Sequence, residues 1–226
     1  VVSAPLTLRY NGEKFDVSAT PAFEYIRTSG GVVLIDGTPT PAKGGGQPSP
    51  AGDDRLGPAQ TWGMGDTVIK SRIFLVEDPG SESPLPAITP FFKVKIPTGN
   101  PANNLSTGGT DYGFGVELDK QISTVLLFGD LGYTFIEKVP GLDLRNRPAA
   151  SLGVGKRASD ALTVSAMLDW RRSLVAQASD PLELVGVVSY KPTPTTTISP
   201  NFFVGLTNGS STFGAGIELA FKFGRF

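Results

Sequence analysis

The chain ends in FGAGIELAFKFGRF (213–226), and the alternation within that stretch decides the fold. Phe213, Ala215, Ile217, Leu219, Phe221 and Phe223 share one parity; Gly214, Gly216, Glu218, Ala220, Lys222 and Gly224 share the other. Successive side chains of a β-strand point to opposite faces, so the stretch predicts a strand with one apolar face and one small or charged face. Chain ends usually fray. A long two-faced strand placed last fits a sheet that closes on itself and pairs its final strand.

The same alternation recurs upstream. LTLRY (6–10) and FDVSATPAFEYIRT (15–28) flank the turn NGEK, and TVIKSRIFLVE (67–77) leads through DPGSESP to LPAITPFFKVKI (85–96). DYGFGVELD (111–119) precedes TVLLFGDLGYTFIE (124–137), and ASLGVGKR (150–157) turns into ALTVSAMLDWRRSLV (161–175). LELVGVVSY (182–190) and TTTISPNFFVGL (195–206) come before the terminal strand. That makes eleven strands and no amphipathic helix, with turn residues between the runs as hairpins require. Tight joins at 11–14, 78–84, 120–123, 157–160 and 191–194 alternate with longer ones at 29–66, 97–110, 138–149 and 176–181. Short turns at one end and longer loops at the other are the pattern of outer-membrane barrels.

Composition agrees with a turn-rich all-β chain of one domain, residues 1–226, carrying 28 Gly and 19 Pro. Cysteine and histidine are absent. That removes disulfides, thiolate chemistry, histidine relays and ordinary zinc sites, and neither a cofactor nor an enzymatic activity is expected. The net charge of −1 offers no footprint for nucleic acid. Charged residues are 18% of the chain, against roughly 25% in soluble domains. No apolar run approaches the ~20 residues of a membrane-spanning helix, and the opening residues carry no signal-peptide pattern, as in a mature exported form.

Sorting by parity separates two faces. The apolar one holds Val17, Phe23, Tyr25, Ile69, Ile73, Ile88, Phe92, Val94, Tyr112, Phe114, Val116, Leu118, Leu127, Leu131, Val164, Leu168 and Trp170. The other holds Asp16, Glu24, Lys70, Arg72, Lys93, Lys95, Asp111, Glu117, Asp119, Asp130, Asp169, Arg171, Glu183 and Glu218. A soluble sandwich also alternates, with its apolar face inside. Pro21, Pro90 and Pro200 on the apolar face, glycines on the polar one, and aromatics near strand ends (Tyr10, Tyr112, Phe135, Tyr190) favour the membrane arrangement instead. The reading is therefore a closed antiparallel transmembrane barrel with its polar parity inside. Outer-membrane barrels typically end in an aromatic assembly signal; here the apolar positions lie on the parity opposite to that of Phe226.

GMGDTVIKSRIFLVED, then FFKVKIPTGNPANNLSTGGTDYGFGVELDKQIS, then VLLFGDLGYTFI resembles the outer-membrane family named for the MetA pathway of phenol degradation. The shared pattern is G-x-G-D before a strand, K-x-P-T-G closing the next, G-x-x-D-Y opening the third and G-Y-T ending the fourth, over residues 62–137. The resemblance implies a twelve-stranded channel in the outer membrane of a Gram-negative bacterium, linked to uptake of small, poorly water-soluble organic molecules. An even strand count then requires one more strand, either before residue 1 or within 29–66.

Function rests on the polar face. Lys70, Arg72, Lys93 and Lys95 form a basic strip beside an acidic one of Asp111, Glu117, Asp119 and Asp130, with Asp169, Arg171, Glu183 and Glu218 completing the candidate pore lining. Cross-strand ion pairs and a transverse field across the pore are both consistent with this arrangement. Lys93 and Lys95 are expected to pair with carboxylates of 111–119. Segment 30–65, rich in Gly and Pro with VVLI at 32–35, is read as a long outer loop, either a mobile tip between strands 15–28 and 67–77 that themselves extend above the membrane, or a constriction or apolar capture site folded into the mouth. Asp53 and Asp54 are a weak divalent-cation candidate. A diffusion channel for small organic solutes leads, with membrane lipid or lipopolysaccharide around it and no nucleic-acid partner. A structural barrel that houses or docks a partner protein is the alternative.

Overall fold

In the computed structural model the chain is described over residues 2–28, 32–35, 38–41, 59–103, 105–140, 143–176 and 178–221. The strands are β1 (Val2–Pro5), β2 (Leu8–Asn11), β3 (Phe15–Thr20), β4 (Ala22–Thr28), β5 (Val32–Ile35), β6 (Thr38–Pro41), β7 (Ala59–Met64) and β8 (Thr67–Ile73). They continue as β9 (Ala87–Ile96), β10 (Asp111–Ile122), β11 (Val125–Phe135), β12 (Arg147–Arg157), β13 (Leu162–Arg171), β14 (Leu182–Thr193), β15 (Thr196–Gly205) and β16 (Phe213–Phe221). No described helix is long and apolar enough to cross a membrane.

One antiparallel sheet of eleven strands runs from β16 through β8 to β3 and β2, each strand beside its sequence neighbour except where β8 lies beside β3. A second sheet, β1-β4-β7, prolongs its last three members: β1 continues into β2, β4 follows β3 after Pro21, and β7 precedes β8 across Gly65-Asp66. Proline has no N–H for the ladder, and Pro21 falls at the break. The eleven strands read from the sequence are thus the eleven passes of the fold, with two adjustments. The first pass begins at Val2, not Leu6, because residues 2–5 pair with 22–25. The loop expected over 30–65 is shorter, because Ala59–Met64 pairs with Phe23–Thr28 as an upward extension of the sheet. VVLI forms a hairpin with Thr38–Pro41 that joins neither sheet. Asp53, Asp54, Lys222 and Phe226 lie outside the described residues.

Connections at one end, the turn end, are short: Ser123-Thr124 and Pro194-Thr195 each link strands whose flanking residues pair directly. The exception is 74–86. At the loop end, segments 97–110, 136–146, 172–181 and 206–212 are longer and brace one another. Ile136, Leu144 and Leu174 bury together there. Arg145 donates to the carbonyls of Ser173 and Val175, and Ser173 N–H donates to Asp180.

Burial is inverted relative to a water-soluble sheet. The apolar parity is exposed, with Leu131 at 59% and Leu152 at 71%, and Phe92, Phe114, Leu127, Leu168 and Phe202 are exposed as well. The other face holds Asp16, Ser18, Thr89, Lys95, Asp111, Thr134 and Glu183, all buried. Among the described residues the buried apolar side chains are Ala22, Phe91, Leu105, Ile136, Leu144 and Leu174, and four of these six belong to the loop end. Lys70 and Arg72 on β8 meet Glu117 on β10 across the intervening β9. Neighbouring strands lie about 4.8 Å apart, so curvature toward the polar face favours this reach. Both edge strands, β2 and β16, carry no partner on their outer side among the described residues.

Candidate functional site

The polar face is organised by register. Asp16 on β3 stands opposite Arg72 on β8, and Arg72 donates through Nε to both Asp16 carboxylate oxygens at 3.0 Å. Its Nη1 reaches Glu117 at 3.2 Å, and the Lys70 ammonium meets the other oxygen of Glu117 at 2.5 Å. Lys70 also lies 4.3 Å from the centre of the Phe91 ring. Two cations thus share two carboxylates, a network worth more than an isolated exposed pair because its members are half-buried or buried.

A second cluster stands at the loop end. Lys95, only 2% exposed, donates to the Thr107 hydroxyl at 2.9 Å and makes ion contacts with Asp111 at 2.8 Å and with Asp66 at 3.1 Å, although Asp66 Oδ2 has no hydrogen-bond partner. A third group joins β13 and β14: Arg171 pairs with Glu183 and lies 3.5 Å from Asp169. Asp130 accepts a hydrogen bond from Ser151 on the adjacent strand.

Every candidate lining residue therefore falls on the polar parity, but the pairings differ from those read along the chain. Lys95 does pair within 111–119, through Asp111. Lys93 stands opposite Gly113, and its stem occupies the space where a Cβ on that glycine would lie. Glu117 takes its cations from β8, because the long Lys70 and Arg72 side chains lean over β9. Glu218 sits on the edge strand β16 and is exposed. Sequence reasoning did not include Asp16, Glu24 or Asp66 among the lining residues, although Asp66 was visible in the G-x-G-D pattern.

An apolar row crosses the same face. Phe128, Gly153, Met167, Val185, Phe203 and Gly214 are successive cross-strand partners over β11 to β16. Each phenylalanine ring lies over its neighbouring glycine, where any Cβ would collide with it. The Lys70, Arg72 and Lys95 clusters lie between β3 and β10, while from β11 to β16 the apolar band runs beside Asp130 and the Arg171 group.

At the turn end, 74–86 folds back against the apolar side of the sheet. Lys120, on the outward parity, donates to Asp78 and to the carbonyls of Gly80 and Leu85. Asp78 also accepts from the N–H groups of Gln121 and Gly80. These hydrogen bonds, that of Lys120 foremost, hold the Asp78 carboxyl down to about 2. Its folded pKa lies below the unfolded one, so the stability it supplies is present near neutrality and fades as pH falls toward 2. An NMR titration should find Asp78 still ionised at about pH 3, and Lys120→Gln should return it toward the ordinary range near 4. An unchanged midpoint in the variant would mean the loop clasp is open in solution.

No protein-family model matches the chain, and no curated protein matches it.

Proposed function

We propose that the chain forms a closed β-barrel in the outer membrane of a Gram-negative bacterium and passes small, compact organic solutes by passive diffusion. The observation that carries this reading is the inverted burial. Each large aliphatic or aromatic side chain left in water forgoes about 1.5–3 kcal/mol of burial. Contiguous apolar surface beyond a few hundred Å² marks an interface or a membrane. Here such residues recur on the outward parity of every strand from β8 to β16. A bilayer covers them, and closure gives every backbone group a partner.

In an eleven-strand meander the two edge strands run the same way, so antiparallel closure takes a twelfth strand between β2 and β16. The enclosed space is then intermediate between eight-stranded barrels filled by side chains and sixteen-stranded porins. Its lining combines paired charges with the band from Phe128 to Phe203, a surface suited to flat, weakly polar molecules. The likeness of residues 62–137 to the phenol-degradation family points the same way.

Liposome swelling tests this. Small aromatics or other compact solutes should enter readily and disaccharides much more slowly. Aromatic contacts are worth about 0.5–1.5 kcal/mol each. Phe128→Ala combined with Phe203→Ala should therefore reduce the preference for an aromatic over a polar solute of equal size by about tenfold. Equal rates for disaccharides and small solutes would contradict a narrow pore.

A further inference from the structure

Glu24 is 0% exposed, and neither of its carboxylate oxygens has a hydrogen-bond partner. It lies on β4, in the three-stranded extension beyond the last rung of β8 and β9 (Thr67 opposite Ile96), and so outside the membrane-facing sheet. A Cβ on Gly65 would sit 3.0 Å from its carboxyl carbon. Loop 97–110 folds onto this junction. Leu105, 2% exposed, packs where a Cβ on Gly63 would lie 2.8 Å from it. Thr98 donates its hydroxyl proton to the Gly65 carbonyl, and Gly99 N–H donates to Asp66.

The ionisable groups facing Glu24 are few. Asp66 stands at the junction of β7 and β8, Lys95 on β9 and Asp111 on β10. β1, β7 and loop 97–110 contain no ionisable side chain, and Arg27 on β4 has the opposite parity. An ammonium has three protons to donate. Lys95 donates to Thr107 and makes ion contacts with Asp111 and Asp66, and neither Asp66 Oδ2 nor either Glu24 oxygen has a hydrogen-bond partner. With Glu24 ionised, its buried charge would stand beside that of Asp66 with no hydrogen bond to either oxygen.

We infer that Glu24 is a proton-binding site that decides whether loop 97–110 is seated: with the proton bound the loop closes over the cluster, and without it the loop is driven off. Burial, and then the charge of Asp66, push the Glu24 carboxyl up to about 7. The folded pKa exceeds the unfolded one. The seated state is thus favoured fully at pH below the ordinary carboxylate range and loses that advantage as pH rises through about 7. The inference concerns the loop alone and holds whether or not solutes cross.

The absence of cysteine allows a single nitroxide at Asn103→Cys, an exposed loop position. Its mobility is recorded in lipid vesicles from about pH 5.5 to 8.5, spanning the proton equilibrium. The ratio of mobile to immobile label should rise more than about tenfold, with a one-proton midpoint near neutrality. In a Glu24→Gln background the label should stay immobile throughout. Asp66→Asn, which keeps an acceptor for Gly99, should move the midpoint to lower pH. A flat profile in the unmodified background, an unchanged transition in Glu24→Gln, or an alkaline shift in Asp66→Asn would each overturn the inference.

Discussion

Lys95→Ala is expected to lower the free energy of unfolding by about 3–5 kcal/mol near neutral pH, the cost of breaking a buried ion pair from one side. Lys95, 2% exposed, lies 2.8 Å from Asp111 and 3.1 Å from Asp66 and donates to the Thr107 hydroxyl. Without it, the buried Asp66 loses the ammonium beside it. Urea unfolding from lipid vesicles measures the loss. A loss below about 1 kcal/mol would place the cluster among solvated surface pairs.

Leu127→Arg should cost about 2–4 kcal/mol in a bilayer if that position faces the hydrocarbon. Its neighbour supplies the control. Leu126 has the opposite parity, so Leu126→Arg places the guanidinium on the polar side, where it should cost less than about 1 kcal/mol. A water-soluble sheet would reverse this order, because Leu127 is already 43% exposed and an exposed charge is nearly free. The pair of variants therefore separates the two environments by sign, using adjacent residues of one strand.

Period-two alternation made most of the fold legible. Strand identities, strand directions and the sorting of side chains into two faces all follow from parity, which a local sequence carries in full. Partners across strands were harder to read, because they depend on register and on how far a side chain leans. Lys70 and Arg72 reach past β9 to Glu117, which no count along the chain reveals. The cluster around Lys95 depends on loop 97–110, whose residues have no periodicity. One signal was present there: Leu105 is the only large apolar residue in PTGNPANNLSTGGT, and a lone leucine in a polar loop is often its anchor. Lys120 and Asp78 were hidden for another reason. An outward lysine looks idle until the connection beneath it folds back.

The large sheet is ordered as the chain is ordered, and that bears on how it assembles. Each strand from β9 onward pairs with the one just before it, through connections of 2–14 residues, so most contacts are local in sequence and the fold has low contact order for an all-β protein. Two-residue turns at Ser123-Thr124 and Pro194-Thr195 let individual hairpins form on the microsecond scale. Growth can then proceed one hairpin at a time, with a single advancing edge. Joining β4 to β7 is different, since about thirty residues separate them. Loop-closure entropy rises only slowly with length, by about 0.6 kcal/mol per doubling, but that closure is the longest in the described chain. The N-terminal three passes, which also hold the proton site, are therefore the natural last piece to lock.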